Sequence, residues 1–325
     1  MQQIVLEQPG RFMSVEAAPP VRQEGEALVR VHRVGVCGTD LHAFAGHQPY
    51  FVYPRILGHE LAVEVVEAPE NSSGIRAGDR CAVEPYLSCG QCHACRAGKY
   101  NCCERLRVLG VHTDGGMREF VTVPVDRLHK SERLSLDQLA LVETLGIGAH
   151  AVERSGLRAG EEALVVGAGP IGLAVVQFAL AAGGRVRVLE VSPQRRQFVG
   201  RFGVEALAAA DDELADVVFD ATGNAVAMEQ SLARVAHGGR LVFVGLVQSA
   251  IPIDDPLFHR REITLFATRN SANDFPRIIR TIEQGLVDTS PWITHRMTLL
   301  DVPALFPDLP RQRDCVKAMI EVPGA

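Results

Sequence analysis

Apolar and polar positions along this chain keep one rhythm to about residue 145 and another afterwards. Residues 27–36 (ALVRVHRVGV) alternate roughly every second position, the pattern of a strand with one buried face. Residues 61–67, 80–84 and 120–123 are further short β-prone runs, punctuated by Gly, Pro and Asp. Longer polar or irregular stretches, 38–58 and 88–107, lie between them. The spacing predicts a mostly β first domain over 1–145.

Beyond about residue 146 short apolar runs alternate with helical ones. Residues 163–166 read as a strand, followed by a Gly-rich turn and an Ala/Leu-rich helix to about residue 182. Strands follow at 186–190, 217–220, 241–245 and 263–267, and helices at 193–202, 224–235 and 274–284. This alternation predicts an α/β domain over 146–286, a doubly wound parallel sheet covered on both faces. The tail, 287–325, loses the alternation and is expected to return to the first domain. No internal repeat is evident.

Composition narrows the class. A chain of 325 residues fits two domains, and 47% apolar with 22% charged residues is enough to build a core in each. The net charge of -6 argues against an electrostatic nucleic-acid binder. The uncharged run 163–184 is long enough to raise a membrane span. Its Gly167, Gly169, Pro170, Gly172 and Gln177 fit strand–turn–helix better. The start lacks the basic and apolar regions of a signal peptide, so a cytoplasmic protein with no membrane partner is expected.

Five of the eight cysteines fall within 89–103. Clustering of this kind in a long chain points to metal in a reducing compartment, since a disulfide scaffold would be short and Cys-dense throughout. Cys89, Cys92, Cys95 and Cys103 form C-x2-C-x2-C-x7-C. Close thiolates on one loop can converge on a single tetrahedral ion, and a closed four-sulfur site suits structural Zn²⁺. An iron–sulfur cluster is the competing use. A nucleic-acid zinc ribbon fits poorly beside Asp79, Glu84 and Glu104. Cys102 is spare, and Cys81 and Cys315 read as packing cysteines.

Gly167-Ala168-Gly169-Pro170-Ile171-Gly172 is G-x-G-x-x-G between a predicted strand and a predicted helix, with Glu190 ending the next strand. In that context the glycines allow a tight turn, and free N–H groups at the helix start can face a pyrophosphate. Glu190 can accept from a ribose 2′-hydroxyl and would repel a 2′-phosphate, favouring NAD over NADP. Arg195 and Arg196 follow and could contact a phosphate, which keeps NADP open. Cys37 in GVCGTDLH and His59-Glu60 in GHE are zinc-ligand types. Spacing alone does not bring them together.

These motifs, in the order GVCGTDLH, GHE, the four-cysteine loop, GAGPIG and THR, resemble the medium-chain, zinc-dependent alcohol and polyol dehydrogenases over essentially the whole chain. The stretches HQPYFVYPRILGHE, GVHTDGG, DPLFHRRE and TRNSANDF look most like sugar-acid dehydrogenases of the L-galactonate/L-gulonate 5-dehydrogenase type, then sorbitol and L-threonine dehydrogenases. The resemblance implies a GroES-like catalytic domain with both zinc sites, one catalytic and one structural, joined to a Rossmann domain that binds NAD. It implies Cys37 and His59 as ligands of the catalytic zinc and Asp40 as the carboxylate behind a ligating imidazole. Either Glu60 or Glu143 is implied as a further ligand; Thr144 stands where the family usually has Pro. Hydride would pass from substrate carbon to NAD, and the hydroxyl proton would leave through Thr39, the cofactor ribose and His42. Lys317 matches a basic position near the pyrophosphate. The segment 203–220 is shorter than in relatives, which implies a curtailed helix there.

A sugar-acid substrate needs cationic and hydrogen-bonding groups, for which Arg269, Asn270, His295, Arg296, His112 and His47 are the candidates. A polyol or L-threonine is the alternative substrate, and a non-catalytic protein binding zinc and nucleotide is the remote alternative. The resemblance implies a homodimer or homotetramer.

Overall fold

The computed structural model describes residues 1–48, 51–272 and 274–323. Pro49, Tyr50 and Asn273, inside two of the stretches that carry the resemblance, lie outside the described residues. The chain forms two compact units. The first holds Met1–Glu143, Phe275–Glu283 and the described part of Thr289–Ala325, and the second holds Thr144–Asp274 and Gln284–Asp288.

The first unit is built on one long strand, Glu26–Gly35. Its alternation buries Ala27, Val29, Val31 and Val34. A bulge between Val31 and Arg33 turns two successive residues, His32 and Arg33, away from the core. On one side the strand pairs antiparallel with Glu60–Glu67 along nearly its whole length. On the other, its first half pairs with Phe120–Pro124 and its second half with Lys317–Glu321. Ile293–Thr298, Arg80–Val83 and Leu128–Lys130 complete the sheet. The two strands near the C-terminus therefore lie in the sheet of the first domain. Each valine buried in this core contributes about 1.5–3 kcal/mol over an exposed one.

The second unit is a six-stranded parallel sheet. Its spatial order is Glu205–Leu207, Arg185–Leu189, Glu162–Val166, Ala215–Asp220, Val235–Phe243 and Thr264–Ala267. Chain order runs outward in both directions from Glu162–Val166, so the sheet has its topological switch point beside that strand. The α/β fold class expected from the periodicity is the one observed.

Some boundaries differ from expectation. Residues 38–58 are not wholly irregular, because Gly38–Phe44 is a helix too short to show a 3.6-residue pattern. Leu136–Ser155 is a 20-residue helix whose middle, Leu139–Gly146, is buried on every face, so no polar stripe marks it. The helix at 224–235 ends as Ala225–Ser231, passes through one 3₁₀ turn, and Val235 already begins a strand. Residues 208–214 join two strands with no helix, in line with the shortened segment noted above.

Helix Phe275–Glu283 groups with the first unit, not with the nucleotide half where the periodicity placed it. Its ends explain this. The Phe275 ring lies 5.2 Å from the His129 ring, and Ser131 Oγ donates to Glu283 at 2.6 Å.

Asp137, near the start of the long helix, holds the Glu26–Gly35 and Ile293–Thr298 strands through two guanidiniums. Arg33 Nε donates at 3.0 Å and Arg296 Nη2 at 2.5 Å. Despite a burial cost, the Arg296 and Arg33 bonds lower the Asp137 pKa below 3.8. The stabilisation is complete above the unfolded value and is lost as pH falls through the lower folded value. Asp137→Asn should cost about 1 kcal/mol in urea unfolding at neutral pH, the range of a partly exposed ion-pair network. The gap between variant and parent should close below about pH 4; an unchanged gap there would show that Asp137 is not the titrating group.

Candidate metal centre and nucleotide loop

The antiparallel register sets Gly35 opposite Glu60. Cys37 lies two residues beyond one strand end, and His59 one residue before the other. Residues 22 apart in sequence thus reach one place. The ligand atoms of Cys37, His59 and Glu60 all lie within 4.8 Å of one another. Gly35 is required here for room, since a Cβ would stand 2.0 Å from Glu60 Oε2.

Cys37 caps helix Gly38–Phe44, and its backbone N–H donates to Asp40 Oδ2 at 2.9 Å. The other oxygen of Asp40 lies 3.6 Å from His59 Nδ1, and both side chains are buried. One carboxylate thereby fixes the backbone of one ligand and faces the ring of the other. Burial alone would lower the His59 pKa, but Asp40 and the Cys37 sulfur reverse this and carry it well above 6.5. Burial raises the Asp40 pKa, though His59 opposes it.

Lys317, which the resemblance places near the pyrophosphate, is buried here, and its ammonium donates to the Glu60 carboxylate. The cause is register: Met319 pairs with Gly35, which brings Lys317 level with Cys37. Burial lowers the Lys317 pKa, but Glu60 and Cys37 more than restore it. Glu143 is also buried, on the long helix, and burial with Glu60 nearby raises its pKa. It does not join the three-atom group. Its Oε1 accepts from the hydroxyl of Tyr86, which the sequence did not single out.

The donor set tests the fit of a metal. Sulfur, imidazole and carboxylate are zinc ligands. His59 Nδ1 and Asp40 Oδ1 are buried without hydrogen bonds. Three buried carboxyl groups, Asp40, Glu60 and Glu143, and the Cys37 thiol share this space with one imidazole and one ammonium. A divalent cation held by Cys37, His59 and Glu60 fits this cluster.

Cys89, Cys92, Cys95 and Cys103 also place their sulfurs within 4.8 Å of one another. None is in a disulfide. Cys103 Sγ accepts from the N–H groups of Cys89 at 3.2 Å and Arg105 at 3.4 Å. Backbone N–H bonds from Gln91 and Cys92 bring the Cys89 pKa down to about 6, and those from Cys95 and Glu104 lower that of Cys92. Such donors favour thiolates, as a four-sulfur metal site requires. Cys102 is exposed and outside the group. Burial pushes the Cys81 thiol up to about 12, which leaves it inert.

In the second unit the Gly-rich turn leaves the central strand at the switch point. Gly167 has a φ of 91°, Gly169 caps helix Pro170–Ala181, and Pro170 takes its first turn. A Cβ on Gly172 would stand 1.9 Å from Gly167 O, so the helix packs directly on the turn. Ile171 follows Pro170 within that first turn. Glu190 is buried and accepts from Ala168 N at 2.8 Å and Ser192 N at 2.7 Å, which ties the acid to the loop it serves. A carboxylate has capacity for further donors. Arg196 is committed to the carbonyls of Glu190 and Val191 at 2.8 Å each, whereas Arg195 is half-buried on the helix.

Thr39 is half-buried and His42 exposed on helix Gly38–Phe44. The six substrate candidates divide: His47, His112, His295 and Arg296 are in the first unit, Arg269 and Asn270 in the second. Arg296 is taken up by Asp137 and Glu321, a structural clamp. His112 Nδ1 accepts from Val108 N at 3.0 Å, and His295 Nδ1 lies 2.9 Å from Thr294 Oγ1.

Residues 23–133 match the alcohol dehydrogenase GroES-like domain and residues 170–284 the zinc-binding dehydrogenase domain. The chain is 37% identical to L-galactonate-5-dehydrogenase of Escherichia coli K12 over 98% of both chains. It is 32% identical to sorbitol dehydrogenase of Bacillus subtilis, over 95% of this chain and 94% of that one. Against L-threonine 3-dehydrogenase of Pyrococcus horikoshii it is 32% identical over 87% of both. Among solved structures, an E. coli CFT073 alcohol dehydrogenase complexed with NADH superposes with a TM-score of 0.92, at 28% identity over 99% of both chains. A zinc-binding dehydrogenase from Sinorhizobium meliloti bound to NADP gives 0.89, at 28% identity over 98% of both.

Two outcomes are expected. Asp40→Asn should weaken zinc binding at the Cys37 site by about 10–100-fold in competition with a chromophoric chelator, with the four-cysteine site unaffected. Cys89→Ser should release one zinc equivalent and lower the thermal midpoint; unchanged metal content would remove the four-cysteine assignment.

Proposed function

Since the chain belongs to the zinc-binding alcohol dehydrogenase family, we propose that it oxidises a secondary alcohol of a sugar acid, of the L-galactonate or L-gulonate type, with NAD as acceptor. The Cys37–His59–Glu60 cluster carries the chemistry. The similarity to L-galactonate-5-dehydrogenase over 98% of the chain supports the substrate class. A sorbitol-type polyol or L-threonine is the second reading, supported by the two relatives at 32% identity.

Cys37, His59 and Glu60 would hold the catalytic zinc, and Cys89, Cys92, Cys95 and Cys103 the structural one. When bound, the catalytic zinc supplies a Lewis acid that lowers the pKa of the substrate hydroxyl. NAD supplies the hydride acceptor. The remaining work belongs to side chains. Asp40 sets the backbone at Cys37 and faces His59 Nδ1, an arrangement that would leave the other ring nitrogen for the ion. Lys317 balances Glu60, which would otherwise bring a third buried anion to the cluster.

Thr39 carries a hydroxyl that both accepts and donates, and it sits three residues before His42, on the same helix face. Thr39 accepts the substrate hydroxyl proton as its own hydroxyl proton passes on, and His42, exposed to water, releases the relayed proton to solvent. At the nucleotide, Gly167, Gly169, Pro170, Ile171 and Gly172 form the turn and helix start that face the pyrophosphate. Glu190 accepts from the adenosine ribose and disfavours a 2′-phosphate. Arg195 stands beside that position. Cysteines gathered on one metal-binding loop, without a disulfide among Cys89, Cys92, Cys95 and Cys103, suit the cytoplasm. The partly exposed edge strand Thr264–Ala267 suits a homodimer or a tetramer built from one.

NADH absorbance with aldonates, polyols, L-threonine and simple alcohols tests the reading. The highest kcat/KM should fall on an aldonate, with NAD preferred to NADP, and chelation should abolish turnover. Cys37→Ser should lose about 1,000-fold in kcat/KM, roughly 4 kcal/mol of transition-state stabilisation. Strong L-threonine turnover with silent aldonates would move the substrate assignment to the second reading.

A further inference from the structure

Two buried carboxylates, Glu60 and Glu143, compete for one metal centre, and the structure treats them differently. Glu60 brings an oxygen within 4.8 Å of the Cys37 sulfur and the His59 ring. Glu143 does not, although its pKa feels both His59 and Glu60. The difference has a visible cause, because the Tyr86 hydroxyl donates to Glu143 Oε1. Tyr86 is 4% exposed, Glu143 6%, and they come from elements 57 residues apart. A buried hydroxyl on a buried carboxylate is a strong, charge-assisted bond, and neither partner has water to replace the other.

We propose that Tyr86 is a positioning residue that holds the Glu143 carboxylate away from the ion and so keeps one coordination position open for substrate. This rests on the assignment of a metal to Cys37, His59 and Glu60. A closed four-ligand zinc is structural, whereas a catalytic one keeps a place free. With Glu143 restrained, Cys37, His59 and Glu60 leave such a place. With Glu143 released, a fourth protein ligand is at hand to fill it. Tyr86 lies three residues before Cys89, the first cysteine of the loop, so the loop's fold also sets where this hydroxyl stands.

The test uses the full chain loaded with cadmium and read by cadmium NMR. The four-cysteine site gives its own resonance and serves as an internal check on folding. In Tyr86→Phe the resonance of the Cys37 site should move and cadmium there should bind about tenfold more tightly, as a fourth ligand enters. The zinc-loaded variant should lose about 10–100-fold in kcat. Glu143→Gln alone should leave the resonance in place, and Tyr86→Phe/Glu143→Gln should return it to the parent position. An unmoved resonance and unchanged affinity in Tyr86→Phe would overturn the role of Tyr86. A shift in Glu143→Gln alone would do the same, by showing Glu143 already on the ion. A parent protein with no second resonance, or one that survives Cys37→Ser, would instead overturn the metal assignment on which the inference stands.

Discussion

The pairing of Gly35 with Glu60 is the constraint on which the metal centre depends. It fixes two strand ends at one level, and the residues just past those ends become neighbours. A one-residue slip would turn every side chain of Glu60–Glu67 to the opposite face. The valines of both strands would then leave the core, so hydrophobic burial protects the register. The site therefore depends on apolar packing that has no chemistry of its own. The missing side chain at Gly35 is equally necessary, because the Glu60 carboxylate occupies the space a Cβ would take.

The same convergence gathers charge. Cys37, Asp40, Glu60 and Glu143 are crowded around one imidazole and one ammonium in a buried space. Desolvation makes such a set costly unless each charge has a partner. The partners are specific: Lys317 for Glu60, Tyr86 for Glu143, the Cys37 N–H for Asp40. A divalent cation held by Cys37, His59 and Glu60 would add positive charge to this acid-rich set. The crowding of charge in this fold would then favour a bound cation.

How much of this was legible in the sequence depends on distance along the chain. The four-cysteine loop and the Gly-rich turn are complete within 15 and six residues, and their geometry follows from local backbone freedom. The alternation of strands and helices was legible for the same reason. The Cys37 centre was legible only through the family resemblance, since spacing carries no register. Lys317 and Arg296 show the limit. Each is a cation of unremarkable context, and its partner is set by strand pairing. One therefore proved to be bound to Glu60, and the other to Asp137 and Glu321. The long helix Leu136–Ser155 escaped because a helix buried on all sides has no amphipathic signature.

The two metal sites differ in what they report about the protein. The four-cysteine site belongs to a single loop, so an ion held there would stabilise that loop whatever the state of the sheet. The Cys37 site draws on four separate segments: the end of Glu26–Gly35, the start of Glu60–Glu67, the long helix and the C-terminal strand. The three ligands come from the first two of these, so an ion there would be held only when those two strands are in register. Binding at this site is thus coupled to the pairing of those strands, and mass action makes the coupling reciprocal. The reactive centre therefore depends on the apolar framework that aligns it.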